Sequence, residues 1–128
     1  MQFFKKTYSN KKHAQFSNLA NYSTSEIKTG GRWTDGKPIY RKVINFGALP
    51  NADIKRVNHN IANLDKVINI GGYVKFPSGY YVGVQFVDVV GGFASSWYTT
   101  VGPTDVAIAT GIDRSSLTAV VVLEYTKV

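Results

Sequence analysis

The second half of the chain holds aromatic side chains close to hydroxyl groups, a combination that suits the binding of sugars. Flat rings stack on the CH faces of a sugar, while hydroxyl and carboxylate groups fix its orientation. Trp97 and Tyr98 lie among Ser and Thr residues at positions 95, 96, 99 and 100. Together with Tyr73 and Phe93, they belong to a wider aromatic set. The candidate glycan-binding residues chosen from it, with one nearby carboxylate, are Tyr80, Tyr81, Trp97, Tyr98 and Asp105.

Adjacent residues of a strand point to opposite faces of a sheet, so Trp97 and Tyr98 cannot both belong to one surface. Packing in the core is the alternative role for either ring, because aromatic residues supply much of a small core. Tyr80 and Tyr81 follow a Ser-Gly pair typical of a turn and are better placed at a rim.

Motifs of catalysis are not found in the sequence. It contains no G-x-S-x-G elbow, phosphate-binding loop, dinucleotide fingerprint or H-E-x-x-H pair. A metal site would have to combine His13 or His59 with carboxylates such as Asp53 or Asp65, and isolated histidines are more often structural. A glycosidase needs two paired carboxylates, and no such pair is visible. The sequence therefore predicts a protein that is not an enzyme and has neither cofactor nor metal.

Length and composition indicate one globular domain. The 128 residues are 44% hydrophobic and 18% charged, which is too apolar for a disordered chain. No apolar run is long enough to cross a membrane, and the first residues lack the apolar stretch of a signal peptide. We therefore expect no membrane insertion.

Charge is distributed unevenly along the chain. Residues 1–66 contain twelve Lys/Arg and four Asp/Glu, and the remainder contains three and four. The basic half could meet an acidic partner such as DNA, teichoic acid or an anionic capsule. The alternative, which we favour, is a solvated basic surface with a lysine-rich arm, and no nucleic-acid partner is predicted.

Residues 1–20 form the predicted N-terminal arm, because lysines there alternate with Asn, Gln and Ser and only a few aromatic residues occur. These aromatic side chains could dock onto a neighbouring subunit or another protein. Disorder until binding is the alternative. The candidate attachment residues are Phe3, Phe4, Lys5, Lys6 and Phe16.

From residue 21 to residue 128 the pattern predicts an all-β fold, a single antiparallel β-sandwich that is jelly-roll-like. Short runs of β-forming residues recur about every ten positions between Gly, Pro and Asp turns. The Gly-Gly pairs at 30, 71 and 91 are interpreted as breaks between strands. The apolar run Val120-Val121-Val122-Leu123 is typical of a strand buried on both faces. The predicted strands cover residues 22–29, 38–49, 73–76, 80–90, 94–101, 105–110 and 117–125.

An Asp-Gly pair predicts a tight hairpin turn at residues 35 and 36, because glycine accepts positive φ without a Cβ clash. The structural residues of this hairpin are Trp33, Asp35, Gly36 and Tyr40. Its aromatic side chains could form a binding platform. We favour instead the packing of Trp33 with Tyr40 as a cross-strand or inter-sheet pair.

The segment 54–70 fits two structures. Its apolar residues recur at spacings of three and four, which would form one helix face. Its four Asn residues, however, compete for helical backbone bonds. We predict two short strands, over residues 55–61 and 66–70, joined by a turn at residues 63–65.

Three stretches resemble the C-terminal modules of bacteriophage tail-fibre, tail-tip and head-fibre proteins. They are GRWTDGKPIYRKVI at residues 31–44, preceded by YSTSE at 22–26; VNHNIANLDKVI at 57–68; and LEYTK at 123–127. The resemblance spans roughly residues 22–128. It implies a β-sandwich module at the distal end of a virion appendage, usually a homotrimer. It implies no catalytic motif and does not fix the receptor.

On this basis we expect a virion binding module at a phage fibre or tail tip that recognises a host cell-surface glycan. It would be made in the bacterial cytoplasm and carried on the surface of the particle, bound to other virion proteins through residues 1–20. Glycan contacts would lie in the C-terminal half. The alternative is a purely structural trimeric fibre cap or capsid decoration protein used in assembly.

Overall fold

A computed structural model describes residues 21–128. The predicted arm, with its attachment residues Phe3, Phe4, Lys5, Lys6 and Phe16, lies outside the described residues.

The described chain forms two antiparallel sheets that face each other across one core. The all-β sandwich predicted from the spacing of turns is thereby confirmed. The strands are β1 (Ile27–Arg32), β2 (Pro38–Ala48), β3 (Ile54–Asn58), β4 (Leu64–Lys75), β5 (Tyr81–Val82), β6 (Trp97–Val101), β7 (Asp105–Thr110) and β8 (Thr118–Lys127). One short 3₁₀ turn spans Phe93–Ser95.

The larger sheet has the strand order β1-β2-β8-β4-β5, and the smaller has the order β3-β7-β6. Strands β8 and β7 are central, and their inward side chains form the middle of the core. Val121, Leu123 and Tyr125 of β8 are fully buried, as are Val106 and Ile108 of β7. Within residues 21–128, no helix is long and apolar enough to cross a membrane.

The segment 54–70 forms β3 and the first part of β4, so the prediction of strands here is confirmed and the helical alternative is excluded. The bounds differ, because β3 ends at Asn58 and β4 begins at Leu64. Asn60 and Asn63 in the connection have positive φ angles of 54° and 58°. Asn adopts this conformation more readily than most residues, which accounts for two of the four Asn residues of the segment.

Two glycine pairs lie inside strands, so the prediction that they separate strands is wrong. Gly30 and Gly31 belong to β1, where the pairing with β2 is irregular. Gly71 and Gly72 belong to β4, which continues through them to Lys75. Gly72 has φ of 110°, and a Cβ there would collide with the Val120 carbonyl of β8. Gly72 therefore allows the close approach of two backbones and does not mark a turn, whereas a Cβ at Gly71 would make only an ordinary contact.

The strand predicted over residues 80–90 is also wrong. Only Tyr81–Val82 pair with β4, after which the chain crosses to the smaller sheet. There Phe86 forms an isolated bridge with Trp97. The Gln85 side chain donates to the Thr99 carbonyl at 2.6 Å and accepts from the Thr99 N–H at 3.0 Å. The segment crosses between sheets, so it cannot continue as one strand, and residues 87–92 form a loop.

Candidate functional site

A depression on the outer face of the smaller sheet arises from a small side chain at its centre. Ala109 of β7 pairs with Ile54 of β3 on one side and with Tyr98 of β6 on the other. Ile108 points into the core, so Ala109 and its partners face outward. Ile54 and Tyr98 are 52% and 56% exposed, and they stand on either side of the alanine methyl group.

The 3₁₀ turn forms one wall of this depression. Its first residue, Phe93, is 74% exposed, so a second aromatic ring is accessible beside Tyr98. The depression has a volume of about 500 Å³. Its lining residues are Ala52, Asp53, Ile54, Phe93, Ser96, Tyr98, Ala109, Thr110 and Gly111.

The wall is held by contacts with the β7–β8 turn. Gly111 donates its N–H to the Ser96 carbonyl at 3.4 Å, and a Cβ at Gly111 would collide with the Ala94 carbonyl. The Arg114 guanidinium donates to the Ser95 carbonyl at 2.7 Å and lies over the Trp97 ring. The 3₁₀ turn is therefore fixed from below by the half-buried Arg114 and by a residue that has to be glycine.

Asp53 supplies the polar group at the rim. Its carboxylate Oδ1 accepts the Ile54 N–H at 2.7 Å, which orients the carboxylate, and its own carbonyl accepts the Thr110 N–H at 3.0 Å. Within residues 21–128, Oδ2 of Asp53 has no hydrogen-bond partner, so it is available to a ligand hydroxyl. The hydroxyls of Thr110 and Ser96 are engaged with Pro50 and Asp88, and they maintain the shape of the depression.

Trp97 cannot stack on a ligand, so its assignment as a glycan-binding residue is wrong. It is 1% exposed, its indole N–H donates to the Gly83 carbonyl at 3.2 Å, and its ring packs against Phe86 with centroids 4.4 Å apart. The alternation of side chains along β6 explains why Trp97 points inward and Tyr98 outward.

Asp105 is also separated from Tyr98. It opens β7 and pairs with Asn58, whereas Ala109 lies four residues further along the same strand, a distance of about 13 Å at the rise of an extended chain. Its carboxylate lies 3.6 Å from the Arg56 guanidinium. The structure therefore does not bring Asp105 into the depression.

Tyr80 and Tyr81 are 73% and 60% exposed but do not line the depression. Tyr81 packs edge-on against Tyr73, with centroids 5.2 Å apart, on the outer face of the larger sheet. We call Tyr80 and Tyr81 the aromatic rim. A glycan-binding role for these two residues stays a prediction.

Phe93 and Asp53 belong to the depression but not to the candidate set chosen from the sequence. Phe93 follows directly after Gly91 and Gly92, and this position after a glycine pair is a signal for an exposed ring on a loop. Asp53 reaches Tyr98 only through the pairing of β3 with β7 and of β7 with β6. No local sequence pattern predicts that strand order.

The predicted hairpin forms at the opposite end of the sandwich. Trp33 donates its N–H to the Lys37 carbonyl, Gly36 donates to the Trp33 carbonyl, and φ of Gly36 is 86°. Tyr40 stacks on Tyr125 with centroids 6.0 Å apart, while Trp33 remains 37% exposed. The predicted pairing of Trp33 with Tyr40 is therefore wrong, because Tyr40 faces the core between the sheets.

An ion cluster fixes this hairpin to the body of the module. The Asp65 carboxylate accepts from Lys37 Nζ at 2.7 Å, from Lys66 Nζ at 3.1 Å and from the Thr126 hydroxyl at 3.0 Å. Asp35 accepts a bond of 2.9 Å from the same Lys66. These bonds hold the pKa of Asp65 well below its ordinary value, and the bond from Lys37 contributes most. The bonds to Asp35 and Asp65 raise the pKa of Lys66.

His59 has a structural role. It is 1% exposed; its Nε2 donates to the Gly102 carbonyl at 2.9 Å, and its Nδ1 accepts the Ile61 N–H at 3.1 Å. Both ring nitrogens are thus engaged. Among the residues that the structure describes, no three His, Cys, Asp or Glu side chains are grouped as a metal site would require.

Comparisons with protein-family models, with curated proteins and with solved structures give no match for this chain. Fold and local geometry therefore carry the functional argument, beside the resemblance of the three sequence stretches to phage fibre modules.

Proposed function

We propose that this chain is a non-enzymatic binding module of a bacteriophage particle, and that the depression beside Phe93 and Tyr98 binds a host cell-surface glycan. One observation carries the proposal. Two accessible aromatic rings and an unpaired carboxylate oxygen of Asp53 converge on one depression of about 500 Å³. This volume lies within the range of ordinary small-molecule sites, about 300–1,000 Å³.

The chemistry of the lining favours an uncharged sugar. The rings of Phe93 and Tyr98 offer faces for stacking, and Asp53 Oδ2 can accept a hydrogen bond from a sugar hydroxyl. An anionic polymer would be repelled by the Asp53 carboxylate. Asp53 is also the one carboxylate that lines the depression among the described residues, whereas glycoside hydrolysis uses two. Binding without cleavage is therefore the proposed activity.

The proposed setting is the tip of a phage fibre or tail, where the module acts as a homotrimer on the particle surface. Residues 1–20 would join it to other virion proteins. The resemblance of residues 22–128 to fibre modules supports this setting, and the β-sandwich agrees with the fold that the resemblance implies.

Glycan arrays and calorimetry with host surface polysaccharides test the proposal on the full chain. Tyr98→Ala and Phe93→Ala should each weaken binding roughly 30-fold, because removal of an aromatic anchor costs about 2 kcal/mol. Tyr80→Ala is the matched control, since Tyr80 is exposed but lies outside the depression.

Loss of binding in Tyr80→Ala with normal binding in Tyr98→Ala would move the site to the aromatic rim. A chain that binds no surface glycan would favour the other candidate function, a structural fibre cap or capsid decoration protein. That role is favoured by the partly exposed valines of the larger sheet, which offer an apolar surface for assembly.

A further inference from the structure

The outer face of the larger sheet has an apolar centre that the described residues leave partly exposed. Val122 of β8 lies between Val43 of β2 and Gly71 of β4. Val120 of β8 lies between Asn45 of β2 and Tyr73 of β4. We call this surface the valine face and define it by Val43, Val120, Val122, Gly71 and Tyr73.

The valine face has the composition of a covered surface. An antiparallel sheet with one face in water alternates apolar residues on the core side with polar residues on the other. Strand β8 instead reads Val120-Val121-Val122-Leu123. The core buries Val121 and Leu123 completely, while Val120 and Val122 are only partly buried by residues 21–128. The sequence predicted that this part of β8 is buried on both faces. Within the described residues, it is fully buried only on the face toward the core.

The described chain begins beside this face. Val43 donates its N–H to the Ser23 carbonyl at 2.9 Å, and Arg41 donates to the Asn21 carbonyl at 3.1 Å. The Arg41 guanidinium lies over the Tyr22 ring, with its Cζ 4.4 Å from the ring centroid. Arg41 points outward, because it pairs with Glu124 on the outer face of β8 at 3.1 Å. The preceding residues therefore join the module at the border of the valine face.

The preceding segment has the length and the side chains to cover the valine face. Twenty extended residues reach about 65 Å, whereas five strands span only about 20 Å. Five of its residues have large apolar side chains that could pack on such a surface. They are Phe3, Phe4, Tyr8, Phe16 and Leu19.

We propose that in the free chain residues 1–20 bind across the valine face of their own module, a contact that attachment to other virion proteins would have to displace. A segment tethered at Asn21 is present at an effective concentration in the millimolar range, which at micromolar protein favours its own module over a second copy. The valine face is then a docking surface for the arm. This inference concerns the larger sheet and stands apart from glycan binding on the smaller one.

The absence of cysteine from the sequence allows a direct test with single spin labels on the full chain. A label at Asn45→Cys, beside Val120 at the border of the valine face, should cause loss of NMR signal intensity for residues 1–20. A label at Thr100→Cys, on the exposed outer face of β6, is the matched control and should leave these signals intact. Replacing the three apolar residues Phe3, Phe4 and Phe16 by Ser should abolish the effect of the Asn45→Cys label while the signals of residues 21–128 stay in place.

Two results would overturn the inference. If the Asn45→Cys label leaves the signals of residues 1–20 unchanged, the arm does not cover this face. A second experiment mixes an isotope-labelled chain that carries no spin label with a spin-labelled chain that carries no isotope label. If signal intensity is lost only in this mixture, the arm covers a second copy and not its own module. Neither result bears on the affinity of Tyr98→Ala for glycan, so this inference and the proposed function can fail separately.

Discussion

The two ends of the sandwich differ in what holds them together. At the end where β8 finishes, the hairpin turn is fixed by Asp35, Asp65 and Lys66, and Tyr125 donates its hydroxyl to Glu26 at 2.6 Å. We call this the clamped end. At the end where β8 begins, which we call the open end, the connections carry Val87, Val89, Val90 and Phe93, each 64–97% exposed. A folded protein gains no stability from exposing apolar groups, so their concentration at one end supports the binding surface proposed there.

Most of the cations between residues 21 and 66 have partners within the fold. Lys37 and Lys66 pair with carboxylates at the clamped end, and Arg41 pairs with Glu124 on the larger sheet. Lys42 and Lys55 donate to backbone carbonyls, those of His59 and Ala48 among them. These cations are engaged within the fold. This favours a structural and solvated role for them over a site for an anionic polymer.

The largest effect is expected from Trp97→Ala, and its neighbour Tyr98 sharpens the comparison. Removing a buried ring of this size should cost about 3–5 kcal/mol in the free energy of unfolding, because a cavity remains between Phe86 and Phe76. Tyr98→Ala should cost less than about 1 kcal/mol, since surface substitutions rarely cost more. Urea denaturation of both variants measures the difference. Equal losses in the free energy of unfolding would contradict the assignment of Trp97 to the core face of β6 and of Tyr98 to its outer face.

A smaller effect is expected from Gly111→Ala at the open end. The added methyl group meets the Ala94 carbonyl, so the 3₁₀ turn has to move, at a cost of about 1–3 kcal/mol. Since Phe93 moves with the turn, glycan affinity should fall as well. Gly83→Ala is the matched control, because a Cβ at Gly83 makes only an ordinary contact with the Gln85 carbonyl, at 3.8 Å. If Gly111→Ala lowers stability but leaves glycan affinity unchanged, Phe93 takes no part in binding.

The clamped end should show its dependence on ionised carboxylates as the pH is lowered. The pKa of Asp65 is lowered in the folded state, so its contribution to stability is fully present above its ordinary value of 3.8 and is lost as the pH falls through the lower folded value. The difference in Tm between the native chain and Asp65→Asn should therefore be constant near neutral pH and shrink in acid.

Asp113→Asn at the open end is the control for this titration. Bonds from the Ser115 hydroxyl and N–H lower the pKa of Asp113, with no lysine involved. Added salt should reduce the effect of Asp65→Asn, because salt screens its lysine partners, and should leave that of Asp113→Asn nearly unchanged. A salt-independent effect at Asp65 would show that the Thr126 hydroxyl, and not the ion pairs, holds the hairpin.

Local patterns predicted those parts of the fold that depend on neighbouring residues. The Asp-Gly turn and β7 (Asp105–Thr110) follow from a turn signal and a β-forming run, and both are present. The role of Gly72 was missed, because it is set by Val120, about fifty positions away along the chain. The site was predicted only in part for the same reason. Tyr98 is recognisable from its neighbours, but Asp53 joins it only through strand order.

The smallest effect is expected from Asp105→Asn, which tests the comparison at a residue that the sequence placed in the glycan site. Asp105 lies at the opposite end of β7 from Thr110, and its Arg56 partner is 62% exposed. Exposed ion pairs contribute about 0–1 kcal/mol, so thermal unfolding should change little, and Arg56→Gln should match it. Glycan affinity should equal that of the native chain, because about 13 Å of extended strand separates Asp105 from Ala109. If Asp105→Asn instead weakens glycan binding as strongly as Tyr98→Ala does, the ligand reaches the clamped end, and the assignment of binding to the open end alone is wrong.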